Sequence, residues 1–383
     1  PNRIIKSGPA GSCLHYTETQ QLKCWGYGLN GGLATPSGPG SSKYSHVTPY
    51  ESFGGAQIKD FSIGEHTIIA ALLDGTVQSS GHFYIGGTDN SISKDNDQSL
   101  GWISTTGGSI TIPGLSNVKS VSSGLRWGIA LHEDGTVSSW GSNLYCTLGA
   151  GLGEDDTNPT SDPDNLPYTV IVQDAATSAA LVNVERILSS SYRTCALTTE
   201  KVLKCWGWND FGSVLPSMPG SAYQCQPRAV QVVGVTDVVD FAMGKRSTIA
   251  LLSDGRVQMW GWNDNGAFAL AGGEVAVAQA PAFVDGFDTA DAANKPTKVY
   301  ASYMARGFCA ILEDKTATCW GTNSDGQLGT SSAANLITSP ATMTTATNVD
   351  QLSMGTRFTC ALTMDDAIKC FGDNDQYQLG DFA

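Results

Sequence analysis

The sequence predicts an all-β protein that folds as a seven-bladed β-propeller. Two observations carry the prediction: a short unit of nearly constant length recurs seven times, and the segments between the units vary much more in length. Each unit has an apolar strand that usually ends in a small residue, then a hairpin, then in most copies an aromatic residue followed by glycine. Because the connectors supply a further strand, each repeat has about four strands, which is the content of a propeller blade.

Two landmarks bound the unit. The closing pairs are Trp25-Gly26, Ser80-Gly81, Trp140-Gly141, Trp206-Gly207, Trp260-Gly261, Trp320-Gly321 and Phe371-Gly372. The preceding strands end at Gly8, Gly64, Gly124, Ser190, Gly244, Met304 and Gly355. The spacing between the two landmarks is the same in six units and one residue longer in the first. A paired hairpin cannot change length without losing its register, whereas surface connectors tolerate insertion.

Turn residues recur at fixed places in the unit. Tight hairpins are predicted at Asp74-Gly75, Asp134-Gly135 and Asp254-Gly255. An asparagine follows the aromatic–glycine pair at Asn143, Asn209, Asn263, Asn323 and Asn374. No segment has the period of a helical repeat. We therefore expect one domain, 1–383, with repeats near 1–56, 57–117, 118–182, 183–236, 237–297, 298–347 and 348–383.

The composition is typical of a soluble protein rich in strands and turns. Hydrophobic residues make up 41% of the 383 residues, charged residues only 15%, and glycine occurs 44 times. The net charge of −14 disfavours contact with phosphate backbones, so no nucleic-acid partner is expected. No apolar run approaches the roughly 20 residues of a membrane span, so no direct membrane insertion is expected.

Eight of the ten cysteines occupy one pair of positions in the unit. The pairs are Cys13/Cys24, Cys195/Cys205, Cys309/Cys319 and Cys360/Cys370. Each of the other three units lacks cysteine at both positions, which indicates that the two positions touch. They flank the tight turn on antiparallel strands, where opposed Cβ atoms lie about 4.5–5.5 Å apart, so disulfides are expected. Zinc is the alternative, but the spacing differs from that of common zinc sites.

The remaining cysteines, Cys146 and Cys225, lie in the connectors of neighbouring repeats. A bridge between the two connectors is the favoured interpretation, with free thiols as the alternative. Repeated structural disulfides need an oxidising compartment, so a secreted or cell-surface protein is expected.

A basic side chain follows the strand-ending position in six units. These residues are His66, Arg126, Arg193, Arg246, Arg306 and Arg357. They are expected to form a ring around the propeller axis. One interpretation has each of them donating to a neighbouring blade, since repeated positions in a repeat fold are usually structural. The other is an anion-binding site near the mouth of the channel.

The sequence offers little for catalysis. It lacks a nucleophile elbow, a phosphate loop and a zinc-protease motif, so no enzyme activity, cofactor or metal is expected. The acidic segment Glu154, Asp155, Asp156, Asp162, Asp164 lacks the spacing of a calcium loop and is interpreted as solvated. Aromatic residues in the connectors are candidates for a recognition surface. They are Tyr44, Tyr50, Phe83, Tyr84, Trp102, Tyr145, Tyr168, Phe211 and Tyr223.

The repeat resembles that of the regulator of chromosome condensation family. The sixth unit shows it most fully, in the run from Cys319-Trp320-Gly321 through Asn323 to Gly326-Gln327-Leu328-Gly329, and the seventh ends in Gln378-Leu379-Gly380. The resemblance covers the whole chain and implies a seven-bladed propeller. It leaves the function open, because that family includes exchange factors for a small nuclear GTPase, protein inhibitors of β-lactamase and extracellular modules.

The seventh repeat lacks the residues for a fourth strand, since only a short segment follows Gly372. Three outcomes are open: the ring closes with a short blade, flanking sequence supplies the strand, or a partner chain adds it. The expected function is that of a non-catalytic extracellular binding or structural module that acts through its long connectors. Its partner is a protein, a carbohydrate or a second copy. The alternative is an enzyme inhibitor or a GTPase exchange factor that uses one propeller face.

Overall fold

Seven antiparallel sheets form the ring, which confirms the predicted propeller. The computed structural model describes residues 2–27, 43–49, 53–64, 67–84, 102–104, 109–125, 127–152, 169–216, 225–263, 267–270, 278–287, 295–303 and 307–380. For residues 43–49, 82–84, 102–104 and 278–279 it describes the backbone alone. In every sheet except that of blade 2, strands that follow one another in the chain are hydrogen-bonded neighbours.

Five of the blades have four strands each. Blade 1 has β1 (Arg3–Ser7), β2 (Gly11–Tyr16), β3 (Gln21–Tyr27) and β4 (Lys43–Pro49). Blade 3 has β10 (Val118–Ser123), β11 (Trp127–His132), β12 (Val137–Gly141) and β13 (Val170–Ile171). Blade 4 has β14 (Val184–Ser190), β15 (Arg193–Thr198), β16 (Leu203–Trp208) and β17 (Cys225–Gln231). Blade 5 has β18 (Val238–Met243), β19 (Ser247–Leu252), β20 (Val257–Trp262) and β21 (Ala278–Phe283). Blade 6 has β22 (Pro296–Ala301), β23 (Gly307–Leu312), β24 (Ala317–Thr322) and β25 (Leu336–Thr342).

The other two blades differ in strand number. Blade 2 has β5 (Ile58–Ile63), β6 (Thr67–Leu72), β7 (Val77–Tyr84), β8 (Trp102–Ser104) and β9 (Ile110–Thr111), and both β8 and β9 pair with β7. Blade 7 has β26 (Val349–Met354), β27 (Phe358–Thr363) and β28 (Ile368–Gly372). No fourth strand pairs with β28 among the described residues.

The first strand of every blade lines a central cavity of about 670 Å³. Side chains on these inner strands accept hydrogen bonds from the backbone of the next blade, which joins the blades at the axis. Asp60 accepts from the Val121 N–H (3.0 Å), and Ser122 accepts from the Ser189 N–H (2.8 Å). Such bonds satisfy inner-strand N–H groups that no strand of their own sheet can reach.

The recurring asparagine organises the turn after the third strand. In five blades its Oδ1 accepts a hydrogen bond from the N–H five residues later, as Asn209 does from Val214 (3.0 Å). The side chain at that later position is apolar, and Val214 and Leu328 are fully buried. The asparagine therefore holds an apolar side chain in the space between two blades.

The tryptophans of three aromatic–glycine pairs dock on the turn of the preceding blade. The indole N–H of each donates to a carbonyl four residues after the asparagine: Trp206 to Thr147 (3.0 Å), Trp260 to Ser213 (3.2 Å) and Trp25 to Gln378 (3.0 Å). All three indoles are fully buried. A Cβ at Gly149, which ends the turn of blade 3, would lie 2.6 Å from the Trp206 Nε1, so the glycine makes room for the ring.

The glycine of the pair permits a close approach of two backbones. Gly261 has φ +100°, and a Cβ there would lie 2.3 Å from the Arg246 carbonyl oxygen. That carbonyl accepts a hydrogen bond from the Trp262 N–H (2.8 Å). Only glycine combines this backbone conformation with this clearance.

Disulfides join the four predicted pairs of opposed cysteines, Cys13–Cys24, Cys195–Cys205, Cys309–Cys319 and Cys360–Cys370. In each, the two Cα atoms are 4.1 Å apart. Opposed residues this close together form a pair with no hydrogen bonds between them. The N–H and C=O groups of the third-strand cysteine therefore point away from the second strand and toward the fourth. The fifth disulfide, Cys146–Cys225, joins blade 3 to blade 4.

Blades 7 and 1 close the ring without a shared strand. Leu14 and Trp25 of blade 1 pack with Phe358 and Leu362 of blade 7. The Thr356 N–H donates to the Pro9 carbonyl (3.2 Å). Of the three outcomes that the sequence leaves open, the described residues show closure by a short blade. The first strand of blade 6 begins at Pro296, just before the repeat boundary expected at residue 298.

Replacing the glycine of the aromatic–glycine pair should destabilise the ring more than replacing an ordinary turn glycine. Gly234 also has a positive φ (+86°), but a Cβ there would meet nothing within 4 Å. Gly234→Ala should cost about 1 kcal/mol, from backbone conformation alone, and Gly261→Ala about 3 kcal/mol, because the Arg246 backbone must shift. Denaturant midpoints of the oxidised variants measure this difference. Equal midpoint shifts would contradict the close-approach explanation.

Candidate recognition site on the upper face

Strand direction gives the ring two faces. We call upper the face where the third strand ends in the asparagine turn, and lower the face that carries the hairpins between second and third strands. The longest connectors of the sequence join third to fourth strands, so both of their ends lie at the upper face. In repeat folds, insertions tend to gather on the face that binds partners.

An aromatic–arginine cluster lies on the upper face of blades 3 to 5. We define it as Tyr145, Tyr192, Trp208, Phe211, Arg246, Trp262 and Asp210. Except for the buried Asp210, its residues are half-buried, so each presents part of its surface to solvent. Half-exposed aromatic side chains held in fixed positions are the usual energetic centres of protein recognition surfaces.

The rings of the cluster contact one another in two groups. In the first, Tyr145 stacks on Trp208 with centroids 5.2 Å apart, and the Tyr192 ring meets both edge to face at 5.0 and 6.0 Å. In the second, Phe211 stacks on Trp262 at 5.7 Å. Both stacked and edge-to-face contacts between aromatic rings are favourable, so the rings fix each other's orientation.

Arg246 joins the two groups. Its guanidinium carbon lies 5.1 Å from the Trp208 ring centroid, 5.1 Å from that of Trp262 and 5.4 Å from that of Phe211. Its Nε is 2.9 Å from an oxygen of Asp210. Burial raises the pKa of the Asp210 carboxyl, and the nearby guanidinium opposes that rise. Arg246 is therefore held by a carboxylate and several aromatic rings together.

Local backbone structure explains why the aromatic residues project here. Tyr145 and Phe211 each lie two residues after a turn asparagine and adopt positive φ (59° and 52°). Asn143 and Asn209 fix these turns by accepting from the N–H five residues later. The neighbouring Cys146 adds a covalent constraint through its disulfide to blade 4.

The predicted basic ring is only partly a ring of equivalent positions. Arg246 and Arg357 occupy equivalent positions. The backbone carbonyl of each accepts a hydrogen bond from the N–H of the residue that follows the aromatic–glycine pair in its blade. Arg193 is displaced by one residue: it lies opposite Gly207, where Ser247 lies opposite Gly261. Tyr192 is the true counterpart in blade 4, because its carbonyl accepts from the Trp208 N–H, so the prediction that Arg193 occupies an equivalent position is wrong. His66, Arg126 and Arg306 lie outside the described residues.

The displacement of Arg193 sends its side chain into the protein, because neighbouring strand positions face opposite ways. Arg193 is 1% exposed, and burial lowers its pKa to about 9. It donates to the Thr248 hydroxyl of blade 5 (2.6 Å), to the Gly244 carbonyl (2.7 Å) and to the Ser247 carbonyl. These contacts fit the structural interpretation of the basic residues, which has them donating to the next blade.

Arg357 also binds protein groups, in this case carboxylates. It donates to both oxygens of Asp325 in the turn of blade 6 and lies 3.4 Å from Asp373 in its own blade. These bonds hold the pKa of Asp325 below its usual range. Arg246 and Arg357 thus each pair with an aspartate in the turn of the preceding blade.

Sequence reasoning found part of the cluster. It named Tyr145 and Phe211 among the connector aromatics, and the structure brings both into the cluster. It missed Tyr192, Trp208 and Trp262; the signal that was available is the aromatic residue directly after Trp206-Gly207 and Trp260-Gly261. The side chains of Tyr44, Tyr50, Phe83, Tyr84, Trp102, Tyr168 and Tyr223, and the acidic residues 154–164, lie outside the described part of the chain.

The central cavity has charged walls whose groups bind one another. Lys6 and Asp60 are 2.6 Å apart, and Arg186 pairs with Asp240. Burial raises the pKa of the Tyr300 phenol to about 12, so it stays protonated at neutral pH. In the parts of the chain that the structure describes, no three histidine, cysteine or carboxylate side chains group as a metal site, and no helix is long and apolar enough to span a membrane.

Comparisons with known proteins agree with the fold. A family model described as the regulator of chromosome condensation (RCC1) repeat matches residues 238–267. Among curated proteins, the Ultraviolet-B receptor UVR8 of Arabidopsis thaliana is 24% identical over 314 residues, which is 81% of this chain and 62% of UVR8. The human E3 ubiquitin-protein ligase HERC2 is 26% identical over 212 residues, 55% of this chain and 4% of HERC2.

Among solved structures, Prp20p of Saccharomyces cerevisiae superposes with a TM-score of 0.71 and 17% identity, over 98% of this chain and 83% of Prp20p. That structure was described together with the binding of Prp20p to Gsp1p and histones. At this identity the likeness shows the fold alone. The blades, turns and docked tryptophans define a repeat β-propeller. The chain is similar to RCC1-repeat β-propellers in its repeat and its fold, and it carries disulfides in four of its blades.

The contribution of Arg357 to stability should vanish in acid. A carboxyl whose folded pKa lies below its ordinary value of 3.8 contributes stability that is present above that value and is lost as the pH falls through the folded pKa. Arg357→Gln should therefore lower the denaturation midpoint at pH 7 and leave it unchanged near pH 2. Lys245→Gln, which removes the same charge, is the control. A difference between wild type and Arg357→Gln that persists in acid would exclude Asp325 as the partner.

Proposed function

We propose that this protein is a non-catalytic protein-binding module of an oxidising, extracellular compartment, and that the aromatic–arginine cluster is the centre of its binding surface. The observation that supports this most directly is the cluster itself: six half-buried side chains whose orientations are fixed by stacking, by the Arg246–Asp210 ion pair and by the Cys146–Cys225 disulfide. A surface fixed before binding loses little conformational entropy when the partner docks.

The five disulfides support the assignment to a secreted or cell-surface setting, because reducing compartments keep such thiols free. They argue against the exchange-factor alternative, which needs a cytosolic or nuclear setting. Non-catalytic action is supported by the cavity wall, where Lys6 binds Asp60 and Arg186 binds Asp240. The net charge of −14 favours a neutral or basic partner surface.

Site-specific photo-crosslinking tests the proposal. A benzophenone amino acid replaces Phe211 in the cluster or, as the control, Val233 on the lower face, which is 66% exposed. The oxidised protein is irradiated with the extracellular proteins of its source. We expect discrete products from position 211 that disappear when Arg246→Gln is added, and none of them from position 233. Equal yields of crosslinked product from both positions, or a yield from position 211 that Arg246→Gln leaves unchanged, would contradict the proposal.

Two further readouts separate the alternatives. Enzymatic deglycosylation of the captured material distinguishes a protein partner from a carbohydrate partner. Light scattering over a range of concentrations reports self-assembly, because a module that binds a different protein keeps its monomer mass when alone. A one-to-one product with a soluble enzyme whose activity falls would identify the inhibitor alternative.

A further inference from the structure

Blade 7 has an outer edge that no strand among the described residues pairs with, and this edge is a second place where a partner can bind. Within the described part of the chain its sheet ends at β28, whereas the third strand of every other blade pairs with a further strand. The Cα separation of 4.1 Å between Cys360 and Cys370 marks a pair without hydrogen bonds between the two residues. The N–H and C=O groups of Cys370 and Ile368 therefore point away from β27, toward this open edge.

Burial shows that the edge is incomplete as a packing surface. The residues equivalent to Ile368 in the other six blades are at most 3% exposed: Leu22, Val77, Val137, Leu203, Val257 and Ala317. Ile368 is half-buried. The same holds for Cys370, whereas its counterparts Cys205 and Cys319 are fully buried. In blades 2 to 6 the residue directly after the fourth strand helps to supply this cover.

The internal fourth strands define what would fit the edge. The residue opposite the position of Cys370 is small or β-branched in all six: Thr48, Ile110, Val170, Val230, Ala282 and Ala341. In five blades the residue two positions later is a buried larger apolar residue, Ile112, Val172, Val232, Val284 or Met343. Its N–H donates to the carbonyl equivalent to that of Ile368, at 2.8–3.0 Å.

We propose that the β28 edge binds an extended strand from a separate polypeptide, which adds in antiparallel orientation as the fourth strand of blade 7. The strand carries a small or β-branched residue opposite Cys370 and an isoleucine, valine or methionine two residues later. The N–H of this second residue donates to the Ile368 carbonyl, and its side chain covers Ile368. Backbone hydrogen bonds supply affinity in such strand addition, and the apolar side chain supplies selectivity. The site lies on the rim and is independent of the aromatic–arginine cluster.

A peptide from this chain is the probe. Residues 335–344 contain β25, the fourth strand of the disulfide-bearing blade 6, in which Ala341 lies opposite Cys319 and the Met343 N–H donates to Ala317 (2.8 Å). The labelled peptide is titrated with the oxidised protein and followed by fluorescence anisotropy. The matched control carries N-methyl methionine at Met343, which keeps the side chain and removes the donor. We expect saturable binding that weakens at least about tenfold on methylation.

Hydrogen exchange provides the second measurement. The backbone amide of Cys370 should exchange at least about tenfold more slowly with the peptide bound, and that of Cys319 should not change. Absence of binding, or binding that methylation leaves intact, overturns the proposal. Protection of the Cys370 amide in the protein alone also overturns it, because the edge would then be filled within the same chain. Arg246→Gln should leave peptide binding unchanged, so this result and that of the crosslinking experiment are separable.

Discussion

At three junctions between neighbouring blades a tryptophan docks on an asparagine turn, and the ring depends on these contacts. The asparagine holds the turn, the turn presents a carbonyl, and the buried indole of the next blade donates to it, as Trp206 does to Thr147. An indole buried without its acceptor would lose a hydrogen bond in a dry environment, at a cost of about 1–3 kcal/mol. The contact therefore fixes both the spacing and the rotation of neighbouring blades, and the closing contact of Trp25 with Gln378 has the same form.

This contact also places the proposed recognition surface. The turn that accepts the indole is the turn that projects Tyr145 or Phe211, so the same hydrogen bonds stabilise the fold and position the aromatic cluster. Arg246 lies where the turn of blade 4 meets blade 5, and its contacts with Asp210 and three rings bridge the two blades. A partner that docks on the cluster would contact side chains held by the rigid frame. The long upper-face connectors can vary around that cluster without changing the blade contacts, because their ends lie outside the paired hairpins.

Blade 7 shows which parts of a blade are needed to close the ring. Its first three strands and its turn make the contacts with blade 1, through Phe358, Leu362 and Gln378. A fourth strand lies on the outside of a blade and contributes mainly cover for the apolar residues of the third strand. In the part of the chain that the structure describes, the ring closes without it, and Ile368 stays half-buried at the open edge. Closure and edge pairing are separate requirements, so the edge can serve binding while the ring remains intact.

The sequence by itself determined the fold, the hairpins and the pairing of the eight cysteines within the blades, whereas the bond between Cys146 and Cys225 was decided by the structure. These features repeat along the chain. Cys309 and Cys319 of the sixth unit correspond to Ile249 and Met259 of the fifth, and because cysteine is present at both positions or at neither, the sequence alone indicates that the two positions touch. The tertiary structure decided the role of each side chain in the basic ring. Arg193 follows its strand end by three residues and Arg246 by two, and the strand register turns this shift of one residue into burial of the first and exposure of part of the second. It also decided which aromatic residues meet. Tyr145 of blade 3 stacks on Trp208 of blade 4, and Phe211 of blade 4 stacks on Trp262 of blade 5. Only the rotation of one blade against the next brings each of these pairs together.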